Sequence, residues 1–172
     1  MGKISVFYLT ALGILATLLS GCNLVGSTPG GFAIYLVKSS SAAPGSDLSR
    51  LELEPTPYIT HADILSYAWQ THEIELTESA RQRLALLTVP VTTGVPFVVC
   101  VGTERIYSGA FWISYSSMSY AGVVIDTLPA LAGSPVIQIQ LGYPAAPELF
   151  NGDDPRPDPR IQQALQEAGK LR

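Results

Sequence analysis

The chain has 172 residues, 14% of them charged, and a formal net charge of −4. With only 10 Lys and Arg it is a poor candidate for binding nucleic acid, because that binding depends on neutralising phosphates. The roughly 150 residues that follow a short apolar leader have the length of one domain with a single core.

The N-terminal segment is organised like an export signal. Lys3 precedes an apolar stretch over residues 4–19 without a charged residue, and small residues then lead to a cysteine. The sequence Leu19-Ser20-Gly21-Cys22 resembles the lipobox of bacterial lipoproteins. The resemblance implies cleavage of the Gly21–Cys22 bond and attachment of fatty acyl chains such as palmitate at Cys22.

An ordinary secretory peptide and a retained transmembrane helix are the alternative interpretations of this leader. A spanning helix needs about 20 apolar residues, and the uncharged run is shorter. Asn23 is not the aspartate that keeps similar lipoproteins on an inner membrane. The resemblance therefore implies a lipid anchor on the periplasmic side of the outer membrane, or on the outer face of the cell membrane in a host with one membrane.

Two strands and a helix are predicted next. Continuous apolar residues predict a buried strand over 32–37, and alternation predicts a short half-exposed strand over 51–54. Thr60 and Asp63 have the spacing of a capping pair. We therefore expect a helix from residue 60 to about residue 67, with these side chains turned inward: Ile64, Leu65 and Ala68.

A further strand and helix follow directly. Alternation over residues 72–76 predicts a strand. Ile74 and Leu76 form its apolar face, and Glu73 and Glu75 form its acidic face. Thr77 is a good N-cap for a helix over residues 78–87. Arg81 and Arg83 are expected to face away from its apolar stripe of Ala80, Leu84 and Leu87.

Residues 96–141 are predicted to form a sheet. The continuous apolar run over 97–101 predicts a central strand covered on both faces, with Cys100 as a buried hydrophobic residue. If Cys22 is acylated, this second cysteine has no partner for an intramolecular disulfide. The remaining predicted strands cover residues 105–107, 110–115, 122–126 and 136–141.

The C-terminal part changes character. Residues 144–159 are rich in Pro and Asp and are expected to be extended, after which Asp158 caps a last helix that packs on the domain through Ile161, Leu165 and Ala168. The fold class is α+β with a mostly antiparallel sheet. We expect a signal peptide over residues 1–21 and an acylated tether over residues 22–31. An α+β domain over residues 32–143 and a Pro/Asp-rich extension with a terminal helix over residues 144–172 follow.

Three motifs in the middle of the chain resemble one protein family. They are Thr60-His-Ala-Asp-Ile64, Leu76-Thr-Glu-Ser-Ala-Arg-Gln-Arg-Leu84 and the run from Gly94-Val-Pro to Gly109-Ala110. Together, residues 48–126 resemble the first periplasmic head domain of the SecD protein-export subunit. The resemblance implies a SecD-head-like or ferredoxin-like sheet with two helices on one face. It also implies a domain that contacts proteins or peptides outside the cytoplasm, near the export machinery.

Candidate catalytic residues are few. Glu73 and Glu75 share a strand face about 7 Å apart, which with His72 suits metal binding or acid–base chemistry, although a solvated edge strand explains them equally well. The serines of the loop, Ser114, Ser116, Ser117 and Ser119, have no activating motif, and no cofactor or metal motif is present. We expect no enzymatic activity, cofactor or metal. The alternative is an extracytoplasmic hydrolase or metal-dependent enzyme that uses His72 with Glu73 or Glu75.

Aromatic residues are the better candidates for binding. Tyr and Trp combine apolar area with a polar tip, which suits a peptide surface, although packing in the core explains most of them. The sequence predicts a non-catalytic envelope lipoprotein that binds a protein or peptide partner. The candidate binding residues are Trp69, His72, Tyr107, Phe111, Trp112 and Tyr115.

Overall fold

The computed structural model describes residues 30–38, 44–144, 147–150 and 152–172. The signal peptide, the acylated Cys22 and most of the tether that the sequence predicts therefore lie outside the described residues. Within the described ranges, none of the helices has the length and apolar character needed to cross a bilayer.

The described residues form one eight-stranded sheet and three α-helices, which confirms the α+β class. The helices are α1 (Glu78–Ala85), α2 (Leu128–Leu131) and α3 (Pro159–Glu167). The strands are β1 (Phe32–Leu36), β2 (Ile59–Thr60), β3 (Ile64–Ala68), β4 (Glu73–Leu76), β5 (Val95–Val101), β6 (Glu104–Trp112), β7 (Tyr120–Asp126) and β8 (Val136–Tyr143). Their order across the sheet is β2-β1-β5-β6-β7-β8-β4-β3. Every neighbouring pair is antiparallel except β6 and β7, which are parallel.

The sheet curls because its two edge strands are consecutive in the chain. Only the 3-10 turn His61–Asp63 separates β2 from β3. Four trans peptide links keep the Cα atoms of Thr60 and Ile64 within about 15 Å of each other. A flat sheet of eight strands would separate its edges by roughly 34 Å. The sheet therefore bends until both edges meet at this turn, which we call the edge junction.

The concave interior of the sheet holds the main core. Helices α1 and α3 add Ala80, Leu84, Ile161 and Leu165 to it, so the expected packing of the C-terminal helix is confirmed. The last residues also pair with β3, where the Tyr67 amide donates to the Lys170 carbonyl at 2.7 Å. The strands contribute Phe32, Ile34, Ile59, Ile64, Tyr67, Ile74, Leu76, Phe97, Val99, Tyr107, Phe111, Val123, Ile125, Ile137 and Ile139.

Strand β5 is covered on both faces, as its continuous apolar sequence predicts. Phe97 and Val99 point into the main core. Val98 and Cys100 lie on the outer face, where they are packed under Leu48, Leu51 and Leu53. Burial raises the pKa of the Cys100 thiol to about 11. Cys100 is therefore a buried hydrophobic residue rather than a reactive thiol.

The prediction of a helix over residues 60–67 is wrong. The capping pair forms, since the Thr60 amide donates to Asp63 Oδ2 at 2.8 Å, but only one 3-10 turn follows before the chain enters β3. Pairing of β3 with β4 satisfies the backbone of Ile64–Ala68. Leu65, expected to face inward, is 53% exposed because alternate residues of a strand point to opposite faces.

The two arginines of α1 each bind a backbone carbonyl of another segment. Arg83 donates to the Tyr58 carbonyl from Nε at 3.1 Å and from Nη2 at 3.0 Å, and its Nη2 also lies 2.9 Å from Asp63 Oδ1. It thereby joins the residue before β2 to the edge junction. Arg81 donates from Nη1 to the Ala130 carbonyl at 3.0 Å, which connects α1 with α2.

The contacts of Arg83 predict that it stabilises the fold. Arg83→Met should lower the free energy of unfolding by about 1–3 kcal/mol, because the Tyr58 carbonyl and the Asp63 carboxylate lose a charged donor. Chemical denaturation measures this change. The control is Arg50→Met, whose ion pair with Asp47 is exposed and which should cost less than about 1 kcal/mol. Equal effects of the two substitutions would contradict the role assigned to Arg83.

Candidate functional site

A cavity opens where β6 and β7 diverge. The two strands pair only from Gly109–Val123 to Trp112–Asp126. Residues 106–108 of β6 and residues 121–122 of β7, together with the paired Val123, line a cavity of about 620 Å³, which we call the fork cavity. Its remaining walls are Pro44, Gly45, Ser46, Leu48, Phe150, Asp153 and Pro155.

The lining of the fork cavity is mostly apolar. Leu48, Ile106 and Phe150 supply apolar surface, and Ser46 and Ser108 supply hydroxyls. Asp153 is the one charged side chain among the described residues that line it. A cavity of this size with few polar groups has the character of a ligand-binding site.

Tyr107 lies between the fork cavity and the main core. The residue lines the cavity, and its side chain is almost completely buried in the main core. The Tyr107 hydroxyl has no hydrogen-bond partner among the described residues. Burial also raises the pKa of this hydroxyl well above its usual range, so it stays protonated. A buried donor without a partner lowers the stability of the fold.

A buried polar cluster lies close to this tyrosine. Tyr67 Oη and His72 Nδ1 form a hydrogen bond of 3.0 Å, and both rings pack edge-on. The ring of Trp69 lies 5.8 Å from that of His72. His72 has a φ of 54°, the one positive value among described residues other than glycine. Such a backbone is strained in a non-glycine residue.

The segment 153–156 connects the cavity with this cluster. Asp153 and Pro155 line the fork cavity. Asp154 lies between these two residues and forms an ion pair of 2.6 Å with Arg156, which follows them. Arg156 Nη1 also donates to the Ile139 carbonyl at 2.8 Å, and the Ile139 amide donates to the His72 carbonyl at 3.0 Å. One short segment therefore supplies both a cavity wall and the charges near His72.

Burial and these charges shift the pKa values of the cluster. Burial lowers the pKa of His72, the nearby Arg156 lowers it further, and Asp154 opposes both. Burial raises the pKa of Tyr67 well above its usual range. For Asp154 burial acts to raise the pKa, but hydrogen bonds from Arg156 outweigh it and leave the pKa lowered. At neutral pH the cluster thus holds a neutral histidine beside a charged pair.

The acidic residues proposed to act with His72 have other partners. Glu73 Oε2 accepts from Thr71 Oγ1 at 3.1 Å, and Glu75 Oε2 accepts from Ser66 Oγ at 2.8 Å. The carboxylate whose charge acts on His72 is Asp154 instead. Within the part of the chain that the structure describes, no group of three or more His, Cys, Asp or Glu side chains is arranged to hold a metal ion.

The candidate aromatic residues do not form one surface. Phe111 is 0% exposed in the main core, against Phe97 and Tyr58. Trp112 is 2% exposed on the outer face, against Tyr120 and Tyr143. Neither ring is therefore available to a partner in this conformation. Of the other aromatic candidates, Tyr115 is 64% exposed, Trp69 is half-buried and Tyr107 is buried at the fork cavity.

Comparison with known proteins identified no relative. No protein-family profile, no curated protein and no solved structure matches the chain. The function of the site is therefore inferred from its geometry alone.

The lowered pKa of His72 predicts how stability depends on pH. The unfolded chain binds a proton at this histidine near pH 6.5, whereas the folded protein does so only at lower pH. The stabilisation is present above pH 6.5 and is lost as pH falls through 6.5 toward the folded pKa. The free energy of unfolding should therefore fall less between pH 7.5 and 5.5 in His72→Asn than in the wild type.

Chemical denaturation at three pH values in this interval measures the difference. Asparagine is the suitable replacement because it tolerates the left-handed backbone of this position. Both proteins keep all other titratable groups, so the difference between their slopes isolates His72. Identical slopes would show that its protonation is not linked to folding.

Proposed function

We propose that the chain is a lipid-anchored protein of the cell envelope that binds, without catalysis, an extended peptide segment of a partner protein in the fork cavity. The observation behind this proposal is the divergence of β6 and β7, which opens an apolar cavity between two strands of one sheet. A peptide strand placed between diverging strands gains main-chain hydrogen bonds, and the side pockets select its side chains.

The lipobox supports the anchored location. The described chain begins beside the β5–β6 turn, where the Gly102 amide donates to the Gly31 carbonyl at 3.1 Å. A tether over residues 22–31 extends at most about 35 Å. The domain would then act close to the outer membrane on its periplasmic side, or close to the outer face of a single cell membrane.

A relation to the SecD head domain is part of the same proposal. Two of the three motifs support it, because they lie in a helix and in a strand pair. Residues 76–84 lead into α1, and residues 94–110 lie in the β5–β6 hairpin. A SecD-head-like or ferredoxin-like sheet with two helices on one face would have α1 as one of these helices, and α2, outside residues 48–126, packs against it. On this proposal the partner lies near the export machinery.

Lipidation predicts a specific label. Cells given an alkyne analogue of palmitate should incorporate it into the wild-type protein and not into Cys22→Ser, because the thiol is the attachment atom. In-gel fluorescence after coupling to a dye measures the label. The matched control is Cys100→Ser, which changes the other cysteine and should keep the label. Equal labelling of the Cys22→Ser protein would exclude the anchor.

Peptide binding predicts crosslinks that depend on the fork cavity. A photocrosslinking residue at Ala121, which is exposed at the cavity, should give a discrete protein adduct in intact cells of the host. Adding Ser108→Trp should remove the adduct, because the indole fills the space. Immunoblotting measures the adduct.

The control for this experiment is the same photocrosslinking residue at Leu86, which is 84% exposed and does not line the cavity. It should not give the adduct seen from Ala121. An identical adduct from both positions, or one that persists with Ser108→Trp, would contradict binding in the fork cavity.

A further inference from the structure

We infer that the fork cavity selects a peptide with a cationic side chain, Lys or Arg, flanked by apolar residues. This inference rests on the proposed function and names the ligand class of the same site. It follows from the placement of the carboxylates in the C-terminal segment, from the apolar lining of the cavity and from the charge of that lining.

The carboxylates of this segment differ in their partners. Asp154 pairs with Arg156 at 2.6 Å, and Asp158 pairs with Arg160 at 2.7 Å. Both ion pairs join residues two positions apart. Asp153 forms no ion pair and no side-chain hydrogen bond with any described residue. Of these three aspartates, the one that lines the cavity is thus the one without a cationic partner among the described residues.

The charge of the lining gives the sign of the ligand. Asp153 contributes a negative charge, and no Lys, Arg or His lies among the described lining residues. An anionic ligand such as a phospholipid headgroup would meet an uncompensated carboxylate in a largely apolar cavity. A cationic group instead forms an ion pair there, and complementary charge favours the matching ligand over the wrong one.

The remaining lining explains why the cation belongs to an apolar peptide. Leu48, Ile106 and Phe150 offer apolar contacts to the methylene stem of Lys or Arg and to its neighbours in the peptide. Phe150 also lines the cavity, and aromatic rings attract cations. A small inorganic cation would leave this apolar surface unused.

Three blocked peptides of one length test the inference: acetyl-Thr-Leu-Lys-Leu-Thr-amide and its versions with Gln or Glu at the centre. The protein is the full acylated chain in mixed micelles, and calorimetric titration measures each Kd. We expect the Lys peptide to bind about fivefold or more tighter than the Gln peptide, and the Glu peptide to bind weakest. Raising NaCl from 0.1 M to 1 M should reduce this preference.

Three variants locate the effect. Asp153→Asn should abolish the preference for Lys over Gln. Glu54→Gln, which removes an exposed carboxylate that does not line the cavity, should keep the preference. Ser108→Trp should weaken binding of all three peptides.

The outcomes separate this inference from the proposed function. Equal affinity for the three peptides, or a Lys preference that survives Asp153→Asn, would overturn the cationic specificity and leave peptide binding in the cavity standing. Binding of no peptide, or binding that Ser108→Trp does not weaken, would overturn the proposed function together with the inference.

Discussion

The edge junction is the constraint on which the rest of this structure depends. Strands at opposite edges of an eight-stranded sheet are joined by only three residues, His61–Asp63, so the sheet has to curl. Arg83 of α1 fixes that closure because it binds the Tyr58 carbonyl before the junction and the Asp63 carboxylate within it. The curl encloses one continuous core, to which both α1 and α3 contribute.

The one parallel pair among the eight strands of the described sheet explains where the candidate site lies. Hairpins connect antiparallel neighbours directly, but a parallel neighbour requires the chain to return along the strand, usually over a dozen or more residues. Here residues 113–119 make the return between β6 and β7, and the Tyr143 hydroxyl holds them by donating to the carbonyls of Ser114 and Ser116 at 2.6 and 3.1 Å. The ladder covers only four residue pairs. Residues 106–108 of β6 and 121–122 of β7, which are not paired with each other, line one side of the fork cavity.

The segment 153–156 joins two environments of opposite character. Its Asp153 and Pro155 belong to the apolar cavity, and its Asp154 and Arg156 form the ion pair that acts on His72. Paired charges inside the structure stabilise one another, whereas the carboxylate at the cavity has no partner in the described protein. Asp153, proposed to bind the ligand, is thus adjacent in the sequence to Asp154, which forms an ion pair within the protein.

The amino-acid sequence by itself determined the local features: the α+β class, the central strand over residues 97–101, the N-caps Thr77 and Asp158 and the packing face of the last helix. Each depends on neighbours in the chain, through periodicity or a capping side chain. It did not determine the strand at 64–68, because the capping pair at Thr60 and Asp63 suits either one turn or a full helix, and pairing with β4 decided between them. The partners of His72 and the position of the fork cavity also required the tertiary structure. Asp154 and Arg156 lie more than 80 residues from His72, and the divergence of β6 and β7 has no sequence motif.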